Sequence, residues 1–195
     1  MDSTDFEIRE ALHRKLLKPY HRCSSTLIVD ELGLAHGKNR IDIAVLNGYL
    51  HGYEIKSAKD NLQRLTEQLR EYRRSLQKLT IVVAPNHLDK VLSISPEWAG
   101  IIEAQKGPRG GISFSCIRKA SMNPEVDGAA LAHLLWRKEA IELLIKRGIP
   151  GKELKKPRKQ LYEIIANEIS QTELLLWIKE KFIARETWRP DLRPV

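Results

Sequence analysis

Apolar residues change their spacing along this chain, and each change predicts a new type of element. Near the start, Thr4 and Glu7 have the three-residue spacing of a capping box. Ile8 and Leu12 follow at helical spacing, so we expect a first helix over about residues 5–17.

The next region, residues 26–56, carries the short β-branched and alternating runs that are typical of strands. Asn47-Gly48 lies between the second and third runs and is a strong hairpin signal. The region therefore predicts an antiparallel meander. The three runs are 26–29, 40–46 and 49–56.

A helical period returns from about residue 59 to residue 77, where leucines and Tyr72 are three and four residues apart. The continuous apolar run 79–84 follows and predicts a buried strand, parallel to its neighbour because a helical crossover leads to it. A short helix over 86–92 and two weaker strands complete this part. The weaker strands are 100–104 and 111–116.

Strand signals end at about Pro124. The remaining pattern predicts three helices and a basic loop: a helix over 129–147, the loop over 152–159, and helices over 161–169 and 172–185. We therefore expect an α/β core with an αβββαβ order in residues 1–120 and a helical C-terminal extension in residues 121–195 that packs on this core.

Composition narrows the class of protein without identifying it. The 195 residues are 42% hydrophobic and 30% charged, which is ordinary for a globular domain and excludes rods and wholesale disorder. Cys23 and Cys116 form no CxxC motif, so neither a disulfide framework nor a zinc site is expected. No apolar run is long enough to span a membrane, and the acidic start is unlike a secretory signal. A cytoplasmic protein is the expectation.

The net charge of +8 favours a polyanionic partner such as nucleic acid. Two basic groups could contact phosphates, one on the helix predicted over 59–77 and one in the basic loop. Solvent-exposed faces without a ligand remain the alternative for both. The two groups are Arg64, Arg70, Arg73 and Arg74, and Lys152, Lys155, Lys156, Arg158 and Lys159.

Candidate chemistry is concentrated in the meander. Glu54 and Lys56 are two residues apart in one strand and therefore share a face, and Asp42 lies in the preceding strand. Two carboxylates and the carbonyl of Ile55 are hard oxygen ligands of the kind that Mg²⁺ prefers, and a lysine beside them could act on a phosphate. The alternative is a surface ion pair at a strand end.

The hairpin register decides whether the two carboxylates meet. A two-residue Asn47-Gly48 loop would place Asp42 opposite Tyr53, next to Glu54 but on the other face. We therefore expect a bulge or a longer loop that brings Asp42 and Glu54 to one face.

Gln68 and Tyr72 form a Q-x-x-x-Y pattern, and with Arg64 they make one stripe beside the leucine face of the predicted helix. Their side chains could reach the carboxylates or a phosphate. Packing at the edge of the core is the other interpretation.

Asp42, the Glu54-Ile55-Lys56 segment, Gln68 and Tyr72 together resemble the PD-(D/E)XK nuclease superfamily, and the Q-x-x-x-Y helix resembles its RecB-like branch. Segments 29–33, 40–45 and 52–57 are most similar to small bacterial sce7726-type proteins, and the resemblance covers residues 5–145. Ile41 stands where the motif's proline would be, which leaves the metal carboxylate in place.

This resemblance implies a restriction-endonuclease-like mixed sheet and a metal-dependent hydrolysis of phosphodiester bonds, with DNA as the expected substrate. Asp42, Glu54 and the Ile55 carbonyl would bind Mg²⁺ or Mn²⁺, Lys56 would assist the attack, and Gln68 and Tyr72 would support the site. The superfamily often adds a glutamate from the first helix or strand; here the candidates are Glu7, Glu10 and Glu31, with Glu31 preferred.

The expected function is a DNA nuclease in repair, recombination, a mobile element or defence. Two alternatives remain open on the same fold: a non-catalytic nucleic-acid-binding module, and a subunit that depends on a homodimer or on another partner protein.

Overall fold

The six strands of the described residues form one mixed sheet, and their order in space is their order along the chain. The structure is a computed structural model that describes residues 2–185. The strands are β1 (Leu27–Leu34), β2 (Asn39–Leu46), β3 (Leu50–Lys56), β4 (Lys78–Val83), β5 (Gly100–Lys106) and β6 (Ile112–Arg118).

Strands β1, β2 and β3 form the antiparallel meander that the alternating runs predict. The chain then crosses over, and β4 pairs parallel with β3, as expected for a strand that follows a helix. Strand β5 is also parallel to β4, whereas β6 turns back antiparallel to β5. The protein is therefore an α/β protein with a mixed sheet.

The described residues also form α-helices on both sides of this sheet. They are α1 (Asp5–Lys15), α2 (Lys18–His21), α3 (Leu65–Ser75), α4 (Leu88–Ile94), α5 (Gly128–Ala132), α6 (Arg137–Lys146), α7 (Gly151–Leu154), α8 (Arg158–Glu168) and α9 (Gln171–Arg185).

The prediction of a helix over residues 59–77 is wrong at its start, because α3 begins only at Leu65. Asp60, inside the range predicted as helix, lies before α3. Its carboxylate instead accepts hydrogen bonds from the amide and the hydroxyl of Ser57, at 2.6 and 2.7 Å, which holds a turn after β3. Side chains of this type compete with the helix for backbone partners.

The single helix expected over 129–147 is also wrong, because α5 and α6 are separate. Trp136 has an extended backbone between them, and Glu139 accepts a hydrogen bond from the Trp136 amide at 2.7 Å. This contact caps a new helix start inside a region of continuous helical period.

Two further boundaries differ from the expectation. Residues 152–159 are not a loop, since α7 covers their beginning and α8 starts at Arg158 immediately after Pro157. The first helix ends at Lys15, and Pro19 lies in the first turn of α2, where a proline is tolerated.

Apolar side chains pack on both faces of the sheet. Helix α1 covers one face, where Ile8 and Leu12 join Ile43 and Ile55 in one cluster. The other face carries α3 and the C-terminal helices in a larger cluster that is shared with the strands.

Leu131, Tyr162 and Ile178, from the segment that we expected to be a helical extension, belong to the same apolar cluster as Leu79 of β4. The end of this segment, residues 186–195, lies outside the described residues. Within residues 2–185, no helix has the length and apolar character needed to cross a membrane.

Candidate active site

The loop between β2 and β3 sets the positions of the two carboxylates. Leu46 pairs with Leu50 and Ile43 with Tyr53, so the loop has three residues, not two. We expected a bulge or a longer loop, and the structure has the longer loop. Continued by one residue past the last pair, this register would bring Asp42 level with Glu54.

Asp42 lies where the two strands stop pairing. The last pair joins Ile43 to Tyr53, whereas β3 continues to Lys56. Beyond that pair, Asp42 Oδ2 accepts a 2.6 Å hydrogen bond from the amide of Ile55. The side chain of Asp42 thus serves as the acceptor that a sheet carbonyl would otherwise supply.

Arg9 of α1 reaches the same point from the other side. Its guanidinium donates to the carbonyl of Asp42 at 3.0 Å and contacts the carboxylate at 3.2 Å. It also forms ion pairs with Glu31 at 2.5 Å and with Asp5 at 3.2 Å. Arg9 was not among the site residues predicted from the sequence; its four-residue spacing from Asp5 indicates the local pair but not the contacts with β1 and β2.

The three candidates for an additional glutamate ligand occupy different environments. Glu31 lies inside β1, at a left-handed φ of 54°, and is connected to Asp42 through Arg9. Glu7 caps α1 and pairs with Lys106 at 2.5 Å, and this hydrogen bond is the main reason why its pKa is lowered to about 2. Glu10 is exposed on α1. Of the three, only Glu31 is linked to a predicted metal ligand by a described contact.

Glu54 is the centre of a dense hydrogen-bond network, and its side chain is only 2% exposed. Lys56 Nζ donates to Glu54 Oε1 at 2.7 Å, and Gln68 Nε2 donates to the same oxygen at 2.9 Å. The hydroxyl of Tyr72 lies 2.6 Å from the second oxygen, Oε2. Gln68 also accepts from Lys56 Nζ at 3.2 Å. The Q-x-x-x-Y pair of α3 therefore reaches the predicted site.

Tyr72 is fully buried, and it is also part of the core, as the alternative interpretation expected. Burial and the negative charge of Glu54 raise the pKa of Tyr72, so its hydroxyl stays protonated and can donate to the carboxylate. Arg64, the third member of the stripe, precedes α3 and is exposed.

The environment of Asp42 disfavours its negative charge. Burial is the largest cause and the charge of Glu54 the second, and together they raise the pKa of Asp42 from 3.8 to about 7. The amide of Ile55 and the guanidinium of Arg9 act in the opposite direction. A bound cation would relieve the remaining repulsion between the two carboxylates.

The donor set fits a hard divalent cation. Asp42 and Glu54 supply carboxylate oxygens, and Mg²⁺ is usually held by one or two carboxylates with water filling the other positions. In the described part of the chain, no group of three or more His, Cys, Asp or Glu side chains is placed to hold a metal ion. A set of two carboxylates suits Mg²⁺, which keeps several of its waters when it binds a protein.

The basic residues of α3 differ in how far their charge is neutralised. Arg73 contacts Glu125 at 3.6 Å, and Arg74 contacts Asp127 at 2.9 Å. Arg70 is exposed and has no ion pair among the residues that the structure describes. Arg70 is therefore the better candidate for a phosphate contact on this helix.

The C-terminal basic cluster is mostly exposed. Lys156 pairs with Glu153 at 2.5 Å, whereas the other predicted members are solvent-facing. The pKa of His36 is lowered, mainly by burial and next by the positive charge of Arg158. Arg158, at the start of α8, therefore lies near His36. His36 follows β1 at the end of the sheet that carries Asp42, so α8 begins near this end. The exposed members are Lys152, Lys155, Arg158 and Lys159.

Fold and site together define an α/β protein with two carboxylates at one end of a mixed sheet: Glu54, buried and held by lysine, glutamine and tyrosine, and the half-buried Asp42, held by Arg9 and the Ile55 amide. The chain belongs to the bacteriophage P4 protein cII family, whose model matches residues 2–188. It is 30% identical over 152 residues to Protein cII of Enterobacteria phage P4, an alignment that covers 77% of this chain and 56% of the phage protein. The chain thus spans little more than half the length of that relative. No solved structure matches it.

Proposed function

We propose that this protein is a metal-dependent nuclease of the PD-(D/E)XK type that hydrolyses phosphodiester bonds in DNA. The convergence of Lys56, Gln68 and Tyr72 on Glu54, with Asp42 across the hairpin, is the observation that carries the proposal. The order of helix, meander, helix and parallel strand supports a restriction-endonuclease-like core. A relative from a bacteriophage favours a mobile-element role among the contexts considered above.

Asp42, Glu54 and the carbonyl of Ile55 would hold Mg²⁺ or Mn²⁺, with Glu31 as a further candidate. Such an ion, when bound, polarises a phosphate and lowers the pKa of a bound water. Arg9 and the Ile55 amide hold the Asp42 side chain in place before any ligand arrives.

Lys56 has the role of stabilising the charge that develops on the phosphate, or of holding the attacking water. Its ammonium is kept in place by Glu54 and by the amide oxygen of Gln68, and its side chain is only 13% exposed. Gln68 and Tyr72 orient Glu54, since each donates to a different carboxylate oxygen. They are positioning residues rather than reacting groups.

The net charge of +8 supports a polyanionic substrate. Arg70 would contact the nucleic-acid backbone together with the exposed members of the basic cluster, Lys152, Lys155, Arg158 and Lys159. Backbone contacts of this type position a nucleic acid without reading its sequence.

A non-catalytic nucleic-acid-binding protein is the second candidate, and one observation favours it. Arg9 and Lys56 already place a positive charge against Asp42 and Glu54, so both carboxylates are partly neutralised without a metal. In that case the acidic pair would be a structural element of the sheet end.

Single-turnover cleavage of labelled DNA, measured beside equilibrium DNA binding, separates the two candidates. Lys56→Ala should slow cleavage in Mg²⁺ or Mn²⁺ by at least ~10²-fold, the scale of losing one electrostatic donor, and should change DNA affinity much less. Lys56→Arg should not restore the rate, because a planar guanidinium does not replace a compact ammonium.

Asp42→Asn should abolish cleavage and keep the fold, since the asparagine oxygen can still accept from Ile55. Lys90→Ala, at an exposed position of α4, is the matched control and should cleave normally. Wild-type protein that binds DNA but does not cleave it with either metal would favour the non-catalytic candidate.

A further inference from the structure

A pocket of about 300 Å³ lies on the opposite face of the sheet from Glu54. His51 lies in the wall of this pocket. Because side chains alternate along β3, His51 points to the face opposite Glu54. Its ring stacks on Tyr53, which belongs to the apolar cluster under α1. Lys78, also in the wall, pairs with His51 at the start of β4. Glu54 and Lys56 lie at the far end of β3. The pocket is therefore separate from the candidate active site in both face and strand end.

The pocket wall is strongly basic. Lys78, Arg118 and Lys119 line it, and no Asp or Glu is among the described residues of the wall. Among residues 2–185, Arg118 donates only to neutral groups, including the carbonyls of Ala99 at 2.7 Å and Pro96 at 2.9 Å. The positive charges of the wall thus lack a carboxylate partner in the described chain, and an anionic group would be attracted to them.

His51 adds no compensating charge. Its Nε2 lies 2.8 Å from the hydroxyl of Thr80, and burial, followed by the positive charge of Lys78, lowers its pKa to about 3. The ring is neutral at physiological pH and presents a polar but uncharged floor.

Aromatic and apolar groups form the rest of the wall. Tyr20 and Tyr49 contribute rings, and Ile102 and Ala120 contribute aliphatic surface. Lys78 Nζ lies over the Tyr49 ring, 4.5 Å from its centre, so a cation and an aromatic ring occur together at one point of the wall. Aromatic faces of this kind stack on nucleobases without base selectivity. The volume is at the lower end of the range for small-molecule pockets.

We propose that this pocket binds a phosphorylated nucleoside, with its phosphate beside Lys78 and Lys119 and its base against Tyr49. The ligand is either a free nucleotide or one nucleotide of a bound strand, since both present the same chemistry. The inference does not depend on nuclease activity, because none of these residues belongs to the Glu54 network.

Calorimetric titration of the whole protein with adenosine 5′-monophosphate tests the proposal, with adenosine and inorganic phosphate titrated separately. The nucleotide should bind more tightly than either part. The double variant Lys78→Gln/Lys119→Gln should weaken nucleotide binding by at least ~10-fold, because charge-assisted contacts with phosphate are lost. The matched control Lys90→Gln/Lys138→Gln removes two exposed charges elsewhere and should bind like the wild type.

Competition with a 5′-phosphorylated oligonucleotide identifies the source of the ligand. If the oligonucleotide displaces the mononucleotide from the wild type, and the pocket double variant shows no such displacement, the ligand is a nucleotide within a strand. If the oligonucleotide displaces nothing from the wild type, the ligand is a free nucleotide. The proposal is overturned if the nucleotide binds no better than adenosine, or if the pocket variant binds it as tightly as the control. Thermal unfolding of both double variants shows whether weaker binding reflects lost folding. The single variant Lys119→Gln changes an exposed position and is a second check that the fold is kept.

Discussion

The amide of Ile55 donates a 2.6 Å hydrogen bond to the carboxylate of Asp42, one residue beyond the last β2–β3 pair. This bond holds Asp42 next to Glu54, although both side chains are acidic and Glu54 is buried. Burial of Asp42, and after it the negative charge of Glu54, raise the pKa of Asp42 to about 7.

The raised pKa of Asp42 predicts a pH-dependent affinity for Mg²⁺. Below pH 7 the metal must displace a proton from this carboxyl group, so affinity should increase by up to ~10-fold for each pH unit as pH 7 is approached, and should level off above it. Calorimetry between pH 5.5 and about 8.5 checks this expectation. Equal affinity across that range would contradict the assigned ligand.

The same pKa has a consequence for the stability of the metal-free protein. Between the ordinary value of 3.8 and the folded value of about 7, the folded state holds the proton more tightly than the unfolded state. The contribution of Asp42 to the free energy of unfolding should therefore decrease as pH rises through this window. Asp42→Asn should remove this decrease, which urea unfolding of both proteins at several pH values would measure.

Removing the hydroxyl of Tyr72 should lower the free energy of unfolding more than removing the hydroxyl of Tyr162, another buried tyrosine of the core. Tyr72 donates to the buried carboxylate of Glu54, and Tyr162 is equally buried but donates to the carbonyl of Leu135 at 2.7 Å. Tyr72→Phe should lower the free energy of unfolding by about 1.5–3 kcal/mol, and Tyr162→Phe by about 0.5–1.5 kcal/mol. Urea unfolding at neutral pH gives both values, and similar losses would argue against a charged acceptor at Glu54.

DNA affinity should fall steeply with salt, because phosphate contacts release counterions. Arg70→Gln should reduce the salt slope by about 1, the effect of one lost phosphate contact. Arg74→Gln is the matched comparison, since its guanidinium is held by Asp127, and it should change the slope less. Binding titrations at several salt concentrations measure both slopes, and a flat salt response would reject the basic surface as a binding surface.

Gly52 of β3 should not tolerate a side chain. A Cβ there would lie 2.6 Å from Leu76 Cδ1 and 2.9 Å from Ile41 Cγ1, so Leu76, just beyond α3, packs directly on the strand. Gly52→Ala should lower the free energy of unfolding by about 1–3 kcal/mol. Gly111→Ala is the control, because a Cβ there meets nothing within 4 Å. Thermal or urea unfolding compares the two, and equal effects would contradict this packing.

The sequence by itself determined the elements that depend on local spacing. The capping box of Thr4 and Glu7, the hairpin position and the strand before Pro85 all follow from residues a few positions apart, and the structure has each of them. The spacing of Gln68 and Tyr72 likewise places both on one side of α3, because the helical period is regular.

Tertiary structure alone decided which of these side chains meet. One additional residue in the hairpin loop shifts the register so that Asp42 comes level with Glu54, and the loop signal is compatible with either length. Arg9 contacts Asp42 from 33 residues away, and Asp127 neutralises Arg74 from 53 residues away. Such contacts depend on strand register and on how helices pack on the sheet, and the hydrophobic period determines only the face that each element buries.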